Sequence, residues 1–395
     1  MSAVDLRGKS RGVGARRIGG LLVGAVLVVG LPSQGVAAAV TGEDGETEAQ
    51  PAPEPPRLRV HGFADVFYAY NDNHPEDGDS FFAGTGTTAK RADEFSLNQA
   101  QIELSAEPAP LGFRVALGFG TAVEVVHSGE PEGSAVGQDV WRNVVYASVL
   151  YRAPVGKGLL FEGGIYPCHI GFEAFNSKDN WNYTRSWMGE LSPYYQTGLR
   201  VSYPFTDRWT AELHVVNGWQ LISDNNSAAT FGTRVAYSGP RASVSFNTLA
   251  GPELPDDDED WRILGDIVAT VPVGASWTLG ASLDAARQDE PTGETAHWAG
   301  AAVYARYAPP ESKLAIALRL ERFDDDDGAI SGTPQRLDEG TLTLEYRPTP
   351  NLIVKLEGRH DKSTADAFAA EAAADGSPAF VDGQTLILLG VVAAF

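Results

Sequence analysis

The chain has 395 residues, 43 of them Gly and 24 Pro, a net charge of −22 and one cysteine. Such acidity argues against nucleic acid as a partner, because phosphate binding needs a basic footprint. The lone Cys168 excludes an intramolecular disulfide and a cysteine-based zinc site.

Residues 1–39 read as a secretory signal. Arg7, Lys9, Arg11, Arg16 and Arg17 form a basic start, 18–31 is an apolar run, and Ala37-Ala38-Ala39 offers a cleavage site. The apolar run has 14 residues, short of the ~20 that a helical span needs. This segment carries a net +4, so the chain beyond it carries −26. Residues 40–57 are acidic and rich in Pro and Ala, which is the composition of an extended leader that cannot bury a core. No later segment has the 18 consecutive apolar residues of a helical span.

From residue 58 the hydrophobic period is two. Leu314, Ile316, Leu318 and Leu320 alternate with Ala315, Ala317, Arg319 and Glu321. Leu352, Val354 and Leu356 alternate with Lys355, Glu357 and Arg359, and Leu199, Val201 and Tyr203 with Arg200 and Ser202. Trp209, Ala211, Leu213 and Val215 alternate with Thr210, Glu212 and His214. The pattern predicts strands at 58–71, 94–107, 111–126, 138–152, 158–166, 194–204, 208–218 and 229–238. It continues at 241–250, 260–271, 275–288, 296–308, 312–323, 338–347, 351–361 and 381–395.

A soluble sandwich also alternates, but three features point to a membrane. Many strands reach ten or more residues, against ~5–6 in soluble sheets and ~9–11 in spanning strands. Connections alternate between long (71–93, 167–193, 362–380) and tight (108–112, 204–207, 348–351). Aromatics gather at strand ends, as interfacial girdles require: Trp209 and Trp277 after tight turns, and Trp141, Trp261 and Trp298 after long loops. The predicted fold is all-β, a transmembrane up-and-down antiparallel barrel of about sixteen strands over 58–395. Its short turns are periplasmic and its long loops external. The implied location is the bacterial outer membrane, with lipid and lipopolysaccharide as surroundings. About sixteen strands leave an aqueous lumen, whereas eight are filled by side chains.

The third long connection, 167–193, differs from the others in its apolar content: Ile170, Phe172, Phe175, Trp181, Tyr183, Trp187, Met188 and Leu191. Solvent offers no reason for these side chains, and burial against the barrel wall stabilises each by ~1.5–3 kcal/mol. The loop is therefore expected to fold inward and narrow the lumen. Glu173, Asn176, Lys178, Asp179 and Arg185 become candidates for the constriction. Facing them are the inward wall residues Arg200, Glu212, Arg319, Glu321, Glu357 and Arg359. Rings of such charges set ion preference in pores.

Other chemistry finds little support. The acidic runs 256–260 and 324–327 miss the EF-hand spacing and read as solvated loops, so no metal site is expected. For an enzyme, His127-Ser128 and His360-Asp361 are adjacent pairs, and adjacent strand residues point to opposite faces. No Gly-x-Ser-x-Gly elbow is present. No catalytic residue and no cofactor are expected. The alternatives to a channel are a structural or receptor barrel with a blocked lumen and, less favoured, a barrel enzyme.

The chain also resembles the OmpL-like β-barrel porins of Gram-negative bacteria. The likeness runs from about Val60 to Phe395 and rests on short motifs in order. These are Gly62-Phe-Ala-Asp-Val-Phe-Tyr68, Gly171-Phe-Glu-Ala-Phe-Asn176, Asn182-Tyr-Thr-Arg-Ser186, Val216-Asn-Gly-Trp-Gln220, Arg319-Leu-Glu-Arg-Phe-Asp324 and Glu357-Gly-Arg-His-Asp361. The resemblance implies an outer-membrane channel and leaves its solute open. By analogy with general porins it admits a homotrimer. The final strand, ending on Phe395, resembles the terminal strand that the barrel-assembly machinery recognises.

Overall fold

The structure is a computed structural model that describes residues 57–81, 88–130, 141–373 and 375–395. The signal at 1–39 and the leader up to residue 56 lie outside the described residues.

Sixteen antiparallel strands close into one barrel. In chain order they are β1 (Leu58–Asn71), β2 (Phe95–Ala106), β3 (Leu111–Phe119), β4 (Val144–Ala153), β5 (Leu159–Pro167), β6 (Tyr195–Pro204), β7 (Trp209–Val216) and β8 (Thr230–Ser238). Then come β9 (Ser243–Pro252), β10 (Trp261–Val273), β11 (Trp277–Asp289), β12 (Thr295–Tyr307), β13 (Leu314–Asp325), β14 (Gln335–Thr349) and β15 (Leu352–Ser363). The short strands β16 (Phe368–Ala370) and β17 (Ala379–Val381) pair as a hairpin in the last long connection, outside the barrel sheet. The final strand, β18 (Gly383–Ala394), closes the barrel between β15 and β1, with Phe63 opposite Ala394 and Asn71 opposite Leu386. Closure removes every edge of the barrel sheet, which a lipid environment requires because no water there can satisfy open N–H and C=O groups.

Alternation sets the two faces. Along β13, Leu314, Ile316, Leu318 and Leu320 are exposed on the outside, while Arg319 and Glu321 are buried inside. An apolar exterior over a charged interior is the inverse of a soluble protein and the expected arrangement in a bilayer. On the short-turn side the rim carries paired aromatics: Trp209 with Tyr237, Trp277 with Tyr307 and Tyr203 with Phe205. Two tryptophans expected in a girdle are elsewhere. Trp298 falls on an inward position of β12 and packs 6.2 Å from Trp219 inside. Trp141 packs against an internal cluster with Val145 and Tyr146.

The sequence also extends the third strand too far. The strand stops at Phe119, and Gly120, at φ 117°, turns the chain into helix α1 (Thr121–Val126). Ala122, Val123 and Val126 then pack inside on Ala116 and Val145. Valine runs satisfy either period over six residues, and burial against the wall decides for the helix.

β18 has apolar residues on both faces. Ile387 and Leu389 face outward, whereas Leu386, Leu388 and Val392 are buried inside. The inward apolar positions are where internal chain docks: Leu388 packs with Phe67 and Tyr183, and Leu386 with the cluster around Trp187.

Candidate functional site

The connection between β5 and β6 enters the barrel. It contains a short 3-10 turn (Ser177–Asp179) and helix α2 (Trp187–Glu190), which Ser186 caps by accepting from the Gly189 N–H at 3.0 Å. The loop leaves β5 and passes β8 and β10, where Arg234 donates to the His169 carbonyl (3.2 Å) and the Gly171 N–H to Asp266 (3.2 Å). Phe172 stacks on Tyr304 of β12, ring centroids 4.1 Å apart. Glu173 accepts from Arg319 of β13 at 2.7 Å. The loop then reaches β1, where Ser177 and Tyr183 both donate to Asp65.

The wall from β13 to β15 holds the returning half. Lys355 donates to the carbonyls of Ser177, Asn180 and Asn182 at 3.0, 2.6 and 3.3 Å. Glu357 accepts from the N–H groups of Tyr183 and Thr184 and from the hydroxyls of Thr184 and Thr343, at 2.5 to 2.9 Å. Glu321 accepts from the N–H groups of Trp187 and Met188 at 2.6 and 2.7 Å. Arg359 donates to the Arg185 carbonyl (2.6 Å), and Asp361 accepts from the Trp187 indole (2.8 Å). A loop of irregular backbone inside a barrel needs such partners, since each buried unpaired N–H or C=O costs about 1–3 kcal/mol. Some of the buried wall charges are themselves paired: Arg319 with Glu339 and Glu173, and Arg359 with Asp361.

Close packing supplements the hydrogen bonds. Trp187 and Tyr183 are wholly buried, and Phe81 and Phe368 from the first and last long loops sit against Trp187. A side chain at Gly390 would meet the Tyr183 ring, its Cβ falling 2.3 Å from that ring, and one at Gly300 would meet Met188 at the same distance. Gly390→Leu is therefore expected to displace Tyr183 and destabilise the protein by about 1–3 kcal/mol, the usual cost of overpacking. Thermal unfolding in detergent measures it; an unchanged midpoint would show that Tyr183 does not dock there.

The candidate residues separate into two groups. Arg185, Arg319, Glu321, Glu357 and Arg359 are buried and contact the loop or wall rather than water. The Arg185 guanidinium donates to carbonyls of its own loop, those of Phe175, Ala174 and Tyr183. The Glu173 carboxylate is enclosed as well. Asn176, Lys178, Asp179, Arg200 and Glu212 keep exposure inside the barrel. Asn176, Lys178 and Asp179 line a cavity of about 320 Å³ with Gln101, Glu103 and Arg114. Asp179 also borders one of about 290 Å³ with Trp181 and Arg234.

The wall of β2–β8 opposite the loop's main anchorage carries charges in sequence: Glu103, Arg114, Glu162, Arg200, Glu212 and Arg234. Arg114 bonds Glu103 at 2.8 Å, Arg200 pairs with Glu162, and Glu212 stands opposite Arg234 in register. Four of these, Glu103, Arg114, Glu162 and Arg234, were not singled out in the sequence, nor were the loop anchors Asp65 and Lys355. Inward alternation was the available signal for all six, and Lys355 already shared a face with Glu357 and Arg359. Burial pushes the Cys168 thiol up to about 12, so it stays protonated at neutral pH.

A closed barrel with an apolar exterior, a charged interior and a loop folded within defines the class of outer-membrane porins. The chain belongs to the family described as "Putative beta-barrel porin-2, OmpL-like", whose model matches residues 57–395. No curated protein sequence matches it. Among solved structures it is similar to an anion-selective porin from Comamonas acidovorans, at 12% identity and TM-score 0.57, covering 86% of this chain and 100% of that one. It is similar also to the outer membrane channel DcaP of Acinetobacter baumannii, at 11% and 0.54, covering 86% and 97%. A third is Salmonella typhi OmpF in complex with daunomycin, at 14% and 0.54, covering 86% and 98%. At these identities the likeness concerns the fold.

Proposed function

We propose that the protein is a water-filled channel for passive diffusion of small hydrophilic solutes or ions, narrowed by its third external loop. One observation carries the reading: the loop is anchored chiefly on β12–β15, β18 and β1, and its half-buried Lys178 and exposed Asp179 look toward the charged wall of β2–β8. A solute would pass between a loop carrying both signs of charge and a wall carrying both. The family supports a channel without chemistry. Location in the outer membrane follows from the same family and fold, with cleavage of the signal near Ala39, assembly through the strand ending at Phe395 and contact with lipopolysaccharide as further parts of the proposal. A homotrimer is also part of it; an outer membrane protein of Vibrio cholerae with the same fold has a trimer form.

Planar-bilayer conductance of the purified protein tests the reading, with reversal potential in a salt gradient. Lys178→Glu is expected to change the cation-to-anion permeability ratio by about twofold or more, toward cations. No change would remove Lys178 from the passage. A blocked lumen, serving a structural or receptor role, is favoured by the inward side chains nearer the long loops: Gln196, His214, Asn247 and Asp266 are all buried. Absence of any conductance would overturn the channel and favour that reading.

A further inference from the structure

Asp266 of β10 and Asp284 of β11 stand directly opposite each other in register, both inward and only 0% and 6% exposed. Asp266 Oδ1 accepts from the Gly171 N–H at 3.2 Å and from the Asn247 amide. Asp284 Oδ2 accepts from the Ser192 hydroxyl at 3.4 Å. The other oxygen of each carboxylate has no hydrogen-bond partner among the described residues, and the two side chains adjoin across neighbouring strands. On the same inner face, Asn247 Oδ1 and Ser282 Oγ are buried and also without partners among the described residues. Neither carboxylate makes an ion pair among the described residues. The neighbouring Arg234 donates instead to the His169 carbonyl, and Glu321 adds negative charge nearby.

Two adjacent buried carboxylates that no ion pair holds are unfavourable together, and the neighbouring Arg234 offsets their charge only in part. A proton shared between them would satisfy one pair of oxygens and leave Asn247 Oδ1 and Ser282 Oγ bare. A cation accounts for more of the cluster. The available atoms are carboxylate, amide and hydroxyl oxygens, the ligands of a hard ion that tolerates irregular geometry. They do not suit zinc, which takes sulfur and nitrogen as well.

We propose that Asp266 and Asp284 bind a calcium-like divalent cation, with Ser282 Oγ and, once its amide turns over, Asn247 Oδ1 completing the site. Gly171 and Ser192 stand near the two ends of the third loop, so the ion fastens both stems to one place on the wall. The inference does not depend on conduction, because its readout is binding.

Full-length mature protein, refolded in detergent and freed of metal by chelator, is titrated with calcium by calorimetry. One saturable site is expected, accompanied by a higher unfolding temperature and slower proteolysis within 168–194. In the variant Asp266→Asn with Asp284→Asn, affinity is expected to fall at least about tenfold, as carboxylate loss at a hard-cation site implies. Asp257→Asn with Asp258→Asn, in an external acidic loop, retains the site. Should the double variant fail to refold by heat-modifiable gel migration, Asp284→Asn alone serves, with the same expectation. Absence of saturable binding in the parent protein overturns the proposal, as does equal binding in the Asp284→Asn protein. A pH-dependent stability with no calcium effect also overturns it, and assigns the pair a shared proton.

Discussion

Replacing Glu357 by alanine is expected to free the middle of the third loop from the wall and to cost about 3–5 kcal/mol, the range for breaking a buried charged network. The side chain accepts four hydrogen bonds, two from backbone N–H groups of Tyr183 and Thr184 and two from hydroxyls of Thr184 and Thr343. Bonds to an ionised acceptor contribute about 1.5–3 kcal/mol each, and the donors left behind are buried. Glu357→Gln keeps the shape but one oxygen only, so its loss should be smaller. Three readouts distinguish a freed loop from a misfolded barrel. The unfolding temperature falls, protease cuts appear within 168–194, and heat-modifiable migration persists. If the protein conducts, its unitary conductance rises or becomes noisy as the loop moves. An alanine variant with parental protease resistance would mean that packing of Tyr183 and Trp187 holds the loop without Glu357.

The sequence made the barrel readable because its rule is local. Period two, carried by Leu314 to Leu320 and Leu352 to Leu356, set most strand positions to within a few residues and assigned Arg319 and Glu357 to the opposite face, while the third strand ends seven residues early and the fourth starts six residues late. Tertiary contacts decided the remainder. Residues 121–126 fit a strand in isolation and became α1 because Ala122, Val123 and Val126 pack on the inner wall. Trp298 looked like a girdle residue until its register placed it inside. The aromatic content of 167–193 marked that loop as unusual. Which of its charges meet water was not legible, because exposure depends on what lies across the lumen. Arg185 turned back on its own carbonyls, and Arg319 and Glu357 became anchors. Asp266 and Asp284 attracted no notice beside the conspicuous acidic runs. Yet the runs have local work: Asp325 accepts from the N–H groups of Ala329, Ile330 and Ser331 in its own loop. Single carboxylates on adjacent strands meet only when the sheet sets their register.

Acidification should loosen the same loop at its first stem. His169 is buried, its ring stacked 4.0 Å from that of His214, with Nε2 at 2.9 Å from the Thr248 carbonyl and Nδ1 facing the Gln196 amide. Burial, aided by the neighbouring imidazole, pulls His169 down to about 4, while Glu212 and the Thr248 carbonyl act in the opposite sense. An exposed imidazole titrates near 6.5. Between those values the released loop binds the proton that the docked loop refuses. Docking is therefore at full strength above about 6.5 and weakens as pH falls, with the loss complete below about 4. A shift of this size corresponds to about 3 kcal/mol. His127, beside Tyr195 in the second long loop, is pulled down to about 4 by burial and contributes in the same direction. Hydrogen exchange of residues 168–194 from pH 7.5 to 4 separates the two, because His169→Gln should flatten the response at the third loop and leave that around His127. An identical pH profile in the His169→Gln protein would remove the stacked imidazoles from the cause.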